Sequence, residues 1–449
     1  MEGLKLNKIR KGIPLAALAA LLAFSGCSGS GSEKASSSSD VAGTKKTPVK
    51  LTIWGGVPEE SGPKDVVTNW NKANPELQVE YIRYVNDDSG NTKLDTALIS
   101  KTDAPDIFIS YGETYYNRRM NAGMTAPLDD LIAKNGFKVD EIIGSSNIIK
   151  SNNTTFYLPA MKQLSMVMIN QTALTSAGEK LPDQWTWDDY VKLAGRLTKG
   201  EAKGSFIQAP GEILPKITLT LAKPKDSYYN DKGSSNFDSP SLQKGLELQK
   251  QLYDKGNMVS WAETVSNKLA THSELFTGKA NMILGGTHLI RYVKDTKNFP
   301  RDFKVAFASN PQLESGGKVN IAGFNDLMSI NSKSAHKEDA MKFIAWYLSE
   351  GNTAMIAGGR IPTNKKADMD KVVELFVGDA AALMDVESLK KILKTEYVFP
   401  AQVESTAYAE LTKILTEESE KYFMNVQPID KTMQTIKTRA DQAIQAAKK

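Results

Sequence analysis

The chain reads as an α/β protein built in two lobes. Three observations lead there. Its 449 residues exceed what one hydrophobic core usually serves, so two lobes are the default. Short strand-like runs take turns with helix-period segments, which indicates a mainly parallel sheet covered on both faces. The third is Phe276–Ile290, FTGKANMILGGTHLI, which runs from a helix end through a short apolar strand into two glycines, a Thr and a His. Gly278 stops the helix, Ala280 and Met282–Leu284 make the buried strand, and Gly285-Gly286 leave a bare backbone that something can approach. In α/β sheets ligands sit beyond the carboxyl ends of strands, so this stretch is a candidate cleft edge.

In chain order, Lys5, Lys8, Arg10 and Lys11 precede the twelve-residue apolar run Ile13–Phe24. That run is too short for a membrane span and reads as a signal-peptide core. It ends at Cys27, the single cysteine, which cannot form an internal disulfide. Small residues before a cysteine suggest a lipobox, cleaved before Cys27 and lipidated on it; Phe24 stands where such boxes usually carry Leu. Residues 27–47 are polar and low in complexity, the composition of a flexible tether.

The folded body is expected to open with a strand at Val49–Trp54, ended by Gly55-Gly56. A helix follows over Asp65–Ala73, a second strand over Leu77–Tyr84, a helix over Leu94–Ile99 and a buried strand over Asp106–Ile109. Phe156–Ile169 alternates in its second half like a crossing strand. Trp185–Leu197 carries Thr186 as a helix N-cap and two Asp in the first turn. Leu242–Lys255 and Thr264–Phe276 read as helices, Val305–Phe307 and Gly323–Ile330 as strands, and Glu338–Leu348 as an amphipathic helix. The remainder is mostly helical, after a break at Gly358–Thr363.

Hydrophobic residues are 41% and charged residues 24%, ordinary for a soluble globular chain. The net charge of +4 is small, and no Lys/Arg-rich block follows the leader, so a nucleic-acid footprint is missing. His272, His288 and His336 are scattered, with no HExxH and no cysteine partner for zinc. The acid pairs Asp87-Asp88, Asp129-Asp130 and Asp188-Asp189 are sequence neighbours, which do not face each other across a glycosidic bond. No enzyme chemistry, metal or cofactor is expected.

Four stretches in this order carry a resemblance: LTIWGG at Leu51–Gly56, YLPAMKQLSMVMINQTAL followed by WTWDDYVKLAGRLT, FTGKANMILGG at Phe276–Gly286, and KEDAMKFIAWYLSEGNTAMIAGGRIPTN at Lys337–Asn364. Together they resemble the family 1 extracellular solute-binding proteins of ABC importers, the group containing maltose- and oligosaccharide-binding lipoproteins. The resemblance implies a two-lobe periplasmic-binding-protein (type II) fold with a hinged inter-lobe cleft. It places lobe one at 48–160 plus 310–361 and lobe two at 161–309 plus 362–449, after a signal peptide at 1–26. It implies a monomer, lipid-anchored outside the cytoplasmic membrane of a Gram-positive cell, that delivers an oligosaccharide to the importer's membrane subunits. A non-sugar solute (an acidic ligand, a polyamine or a phosphate ester) and a sensor or adhesin without transport are the alternatives.

A sugar offers apolar faces and a rim of hydroxyls, so its site needs aromatic plates and side chains that donate and accept. Trp54, Tyr111, Trp261 and Phe324 are candidate plates, with burial in the core as the competing reading. Glu59, Asp87, Glu113, Gln163, Asn325, Asp326 and Arg360 are the polar candidates. Gly286 and His288 complete the set, His288 standing where many relatives carry Trp.

Overall fold

The computed structural model describes residues 47–100, 102–225, 227–230, 232–400 and 407–447. The signal peptide, Cys27 and nearly all of the tether lie outside the described residues. No described helix is long and apolar enough to cross a membrane.

Among the described residues eight strands form the framework: β1 (Val49–Gly55), β2 (Leu77–Arg83), β3 (Ile107–Ser110), β4 (Leu158–Asn170), β5 (Met282–Gly286), β6 (Val305–Ala308), β7 (Ala322–Ile330) and β8 (Ile361–Pro362). Their order is β2-β1-β3-β7-β4-β5, with β6 and β8 also paired to β4. Only β1 with β2 and β1 with β3 are parallel. The expectation of a mainly parallel sheet is therefore corrected to a mixed one: β7 returns antiparallel to β3, and every partner of β4 is antiparallel to it.

β4 is the organising strand. Leu158–Leu164 pairs with β7 and β8, whereas Ser165–Asn170 pairs with β5 and β6. One strand thus leaves one sheet and enters another. Packing changes at the same place. Leu158 and Ala160 belong to a core with Leu51, Ile53, Ile107, Phe343 and Ile344. Leu164, Met166 and Met168 belong to a core with Phe276, Ile283 and Phe307, and Val167 and Ile169 to one with Trp187 and Leu248. Leu313, Val319 and Ile321 also pack on the second side, so the chain rejoins the first sheet only at β7.

Local sequence explains the main helices. Trp187–Leu197 begins with a capping box between Thr186 and Asp189, which satisfies the first free amides. Pro63–Ala73 buries Val66 and Trp70, and the Trp70 indole meets Phe343 and Trp346 at 5.2 and 5.1 Å. The helix expected from Leu94 starts at Asp88, capped by Asp87. The single helix expected over Thr264–Phe276 is two, Trp261–Ser266 and Thr271–Phe276. Lys268 takes a left-handed φ of 50° between them, which ends the first helix despite its continuing apolar period.

Candidate functional site

A cavity of about 1420 Å³ lies where the two sheets meet. The ends of β1, β2 and β3 deliver Gly56, Asn86, Gly112 and Glu113 to one wall. The opposite wall comes from helices and loops that carry Gln208, Glu212, Lys216, Tyr228, His272, Tyr292 and Tyr408. Gln163 and Ser165 of β4, Gly286 at the end of β5, His288 just after it, and Phe324 and Asn325 of β7 form the floor.

Six of the expected site residues reach this cavity: Glu113, Gln163, Gly286, His288, Phe324 and Asn325. Gln163 Oε1 accepts from Asn325 Nδ2 at 3.2 Å, and Asn325 Oδ1 accepts from the Gly112 amide at 3.2 Å. A Cβ on Gly286 would stand 2.9 Å from the Gln163 side chain, so glycine lets that amide lie across the floor. Phe324 stacks on Phe399 at 4.5 Å, and both rings line the cavity. His288 is half-buried, and its Nδ1 has no hydrogen-bond partner among the described residues. Burial, reinforced by Arg360 and Arg291, pushes its pKa down to about 3, so the imidazole is neutral at any ordinary pH.

The other seven lie off the wall, each for a physical reason. Trp54 is still within β1 and points to the sheet face opposite Leu51 and Ile53, packed with Tyr84, Leu94, Leu98 and Phe108. Tyr111 lies beneath the loop after β1, accepting from the Gly56 amide at 2.8 Å. A Cβ on Gly56 would touch that ring at 2.8 Å, which is why the strand ends in glycine. Burial, then the Asp326 carboxylate, raises the Tyr111 pKa and keeps it neutral. Glu59 is exposed on a one-turn 3-10 helix, and its neighbour Glu60 reaches the cavity instead. Asp87 is spent as a helix cap, accepting from the Gly90 amide at 2.7 Å. Trp261 is 3% exposed and packs on Phe423, because its loop folds straight into a helix capped by Ser260. Asp326 and Arg360 form a buried ion pair at 2.8 Å. Burial opposes the Arg360 charge, but Asp326 outweighs it and the guanidinium is held above its usual range.

Sequence reasoning missed much of the second wall. His272 lies parallel to Tyr292, ring centres 4.0 Å apart, and Arg291 covers the Tyr292 ring. Tyr228 stacks on Tyr408 at 5.2 Å. Glu113 is hydrogen-bonded to Tyr408 and faces Lys216; burial raises its carboxyl pKa against both. Glu212 also lines the cavity, and the protein around it raises its carboxyl pKa, partly countered by Lys216. Lys216 is held charged by Tyr228 foremost, then by Tyr408 and the two carboxylates, against the cost of burial. A Tyr pair inside the polar run DSYYND was the one sequence signal for this wall. Among the described residues no cluster of acids, histidines or cysteines fits a metal ion.

Two lobes that share a strand and enclose a polar cavity define a two-lobe binding protein. The bacterial extracellular solute-binding protein family matches residues 55–354, and the chain belongs to that family. The arabinooligosaccharide-binding protein of Bacillus subtilis (strain 168) is 22% identical over 342 residues, covering 72% of each chain. An uncharacterised lipoprotein of Streptomyces antibioticus is 21% identical over 316 residues, covering 68% of each. Among solved structures, an ABC substrate-binding protein of Listeria monocytogenes in complex with cycloalternan shares the fold at a TM-score of 0.71 and 19% identity, covering 89% of this chain and 99% of that one.

Proposed function

We propose that this protein captures a neutral oligosaccharide in the cavity and hands it to the membrane subunits of an ABC importer. The charge balance of the wall carries the reading. Among the described lining residues Arg83, Lys216, Arg291 and Lys294 balance Glu60, Glu113, Glu212 and Asp295, four cations against four carboxylates. Such a wall has no net charge to favour an acidic solute or a polyamine. What remains is amides, hydroxyls and aromatic faces, which suit a ring bearing hydroxyls. The names of the Bacillus relative and the Listeria complex support a sugar. The role needs no catalysis: closure about β4 is enough to enclose and release a ligand.

We divide the body into lobe one at 48–160 plus 322–361 and lobe two at 161–321 plus 362–449. The boundary before β7 is set at 322 because Leu313, Val319 and Ile321 pack on the second side. The signal peptide at 1–26, lipidation at Cys27, anchoring on the outer face of a Gram-positive membrane and a monomeric state complete the proposal. The Streptomyces lipoprotein supports the anchor. The test is a thermal-shift screen of residues 28–449 against neutral, acidic and amino sugars, polyamines and phosphate esters, since a ligand for the folded state raises the midpoint. A rise with a neutral oligosaccharide is expected. Rises only with polyamines or phosphate esters would overturn the sugar assignment.

A further inference from the structure

A second cavity, of about 480 Å³, lies on the other face of β4. Side chains alternate along a strand, so Gln163 and Ser165 face the large cavity while Lys162 and Leu164 face this one. Its floor is apolar: Leu164, Ile361 and Leu393 are each under 5% exposed. Tyr397 and Phe399 add aromatic sides.

The polar groups around this cavity are spent, with one exception. Asp368 caps the following helix, accepting from the Asp370 and Lys371 amides. Asp370 is paired with Lys394 at 2.5 Å. Thr395 Oγ1 donates to the Lys391 carbonyl at 2.7 Å, and Tyr397 Oη donates to the Ile392 carbonyl at 2.9 Å. Among the described residues Lys162 is the lining cation with no carboxylate paired to it, whereas Lys394 is held by Asp370. Lys162 is half-buried, and burial, with no neighbouring carboxylate to offset it, lowers its pKa. A half-buried ammonium without a partner is costly, and an anion seated over it removes the cost.

We propose that this pocket is a second ligand site, taking a small monocarboxylate with an apolar or aromatic body. The carboxylate pairs with Lys162 Nζ, and the body lies on Leu164, Ile361 and Leu393 between Tyr397 and Phe399. The volume leaves ample room for a single ring with a short substituent. The site is independent of the sugar reading, because its lining shares only Phe399 with the large cavity.

The test uses sodium benzoate as the probe and benzamide as its neutral counterpart, titrated calorimetrically into the full chain. Saturable binding of benzoate is expected, with benzamide at least about tenfold weaker, the size of a charge-assisted hydrogen bond. Lys162→Met should weaken benzoate by about the same factor, and Lys162→Arg should restore most of it. No saturable benzoate binding, or benzamide bound as tightly as benzoate, would overturn the site without recourse to any variant. Benzoate bound equally well by Lys162→Met would place the carboxylate elsewhere and also overturn it.

Discussion

On one side the large cavity meets the ends of β1, β2 and β3, where Gly56, Asn86 and Gly112 present backbone and short polar groups. The rings on that side sit behind the wall: Tyr81 Oη donates to the Val57 carbonyl at 2.7 Å, and Tyr111 holds the Gly56 amide. On the other side the cavity meets the rings themselves, His272, Tyr292 and Tyr408, carried by helices and loops, with Tyr228 buried behind Tyr408. The contrast separates two jobs. The first wall is fixed from behind by a sheet and buried polar groups; the second offers contact surface. Damage to the first should register as lost stability, and damage to the second as lost affinity.

The largest effect should come from behind the first wall. Asp326→Ala leaves the buried Arg360 guanidinium without a carboxylate, with only the Gly358 carbonyl to accept from it, and about 3–5 kcal/mol of stability should be lost in urea denaturation. Trp54→Ala empties a core site between Tyr84, Leu94 and Phe108, with a similar loss of about 3–5 kcal/mol. Once folded, the Trp54→Ala protein should still bind sugar within about threefold of wild type. A large affinity loss at unchanged stability would collapse the distinction.

Tyr292→Ala tests the second wall. It removes a half-buried ring that lines the cavity. Affinity for the oligosaccharide that raises the melting midpoint should fall about tenfold or more. Stability should move by no more than about 1 kcal/mol.

His288 lies on the floor between the walls and gives a pH signature. Its folded pKa of about 3 is below the value of 6.5 for an unperturbed histidine, so the unfolded chain binds the extra proton between those limits. Its contribution to stability is therefore full near neutral pH and falls on acidification through 6.5. Relative to His288→Gln, the wild type should lose about 1–2 kcal/mol between pH 7 and pH 5, measured by denaturation at each pH. Parallel curves for the two proteins would show that the imidazole is solvated.

The smallest effect serves as a control away from both walls. Thr186→Ala removes one half of a capping box at the start of Trp187–Leu197. It should cost about 1 kcal/mol in the same denaturation assay and leave sugar affinity unchanged.

The framework was legible in the sequence where a local pattern decided it. Thr186 and Asp189 announced a helix start, and the run Met282–Gly286 announced a buried strand before bare backbone. Gln163, Gly286, Phe324 and Asn325, candidates in the sequence, lie on one floor where strands β4, β5 and β7 converge. Trp54 and Tyr111 were misplaced because position beyond a strand does not fix which way a ring turns. Trp54 is one residue short of the strand end and pairs beside Phe108, so it enters the layer beneath the helix Asp88–Ile99. Asp326 and Arg360 are 34 residues apart, and nothing local shows that they meet. Tyr228 and Tyr408 are farther apart still, and their stack arises only when a loop folds against the helix that begins at Tyr408.

The most direct test is hydrogen–deuterium exchange of the protein with and without a neutral oligosaccharide identified by the thermal-shift screen. The account predicts slowed exchange on both walls together: around Gly112-Glu113 on one, and around Gln208–Lys216 and His288–Tyr292 on the other. The core behind Trp54 should be unchanged. Slowing on one wall only, or away from the cavity, would contradict capture of the ligand between the two lobes.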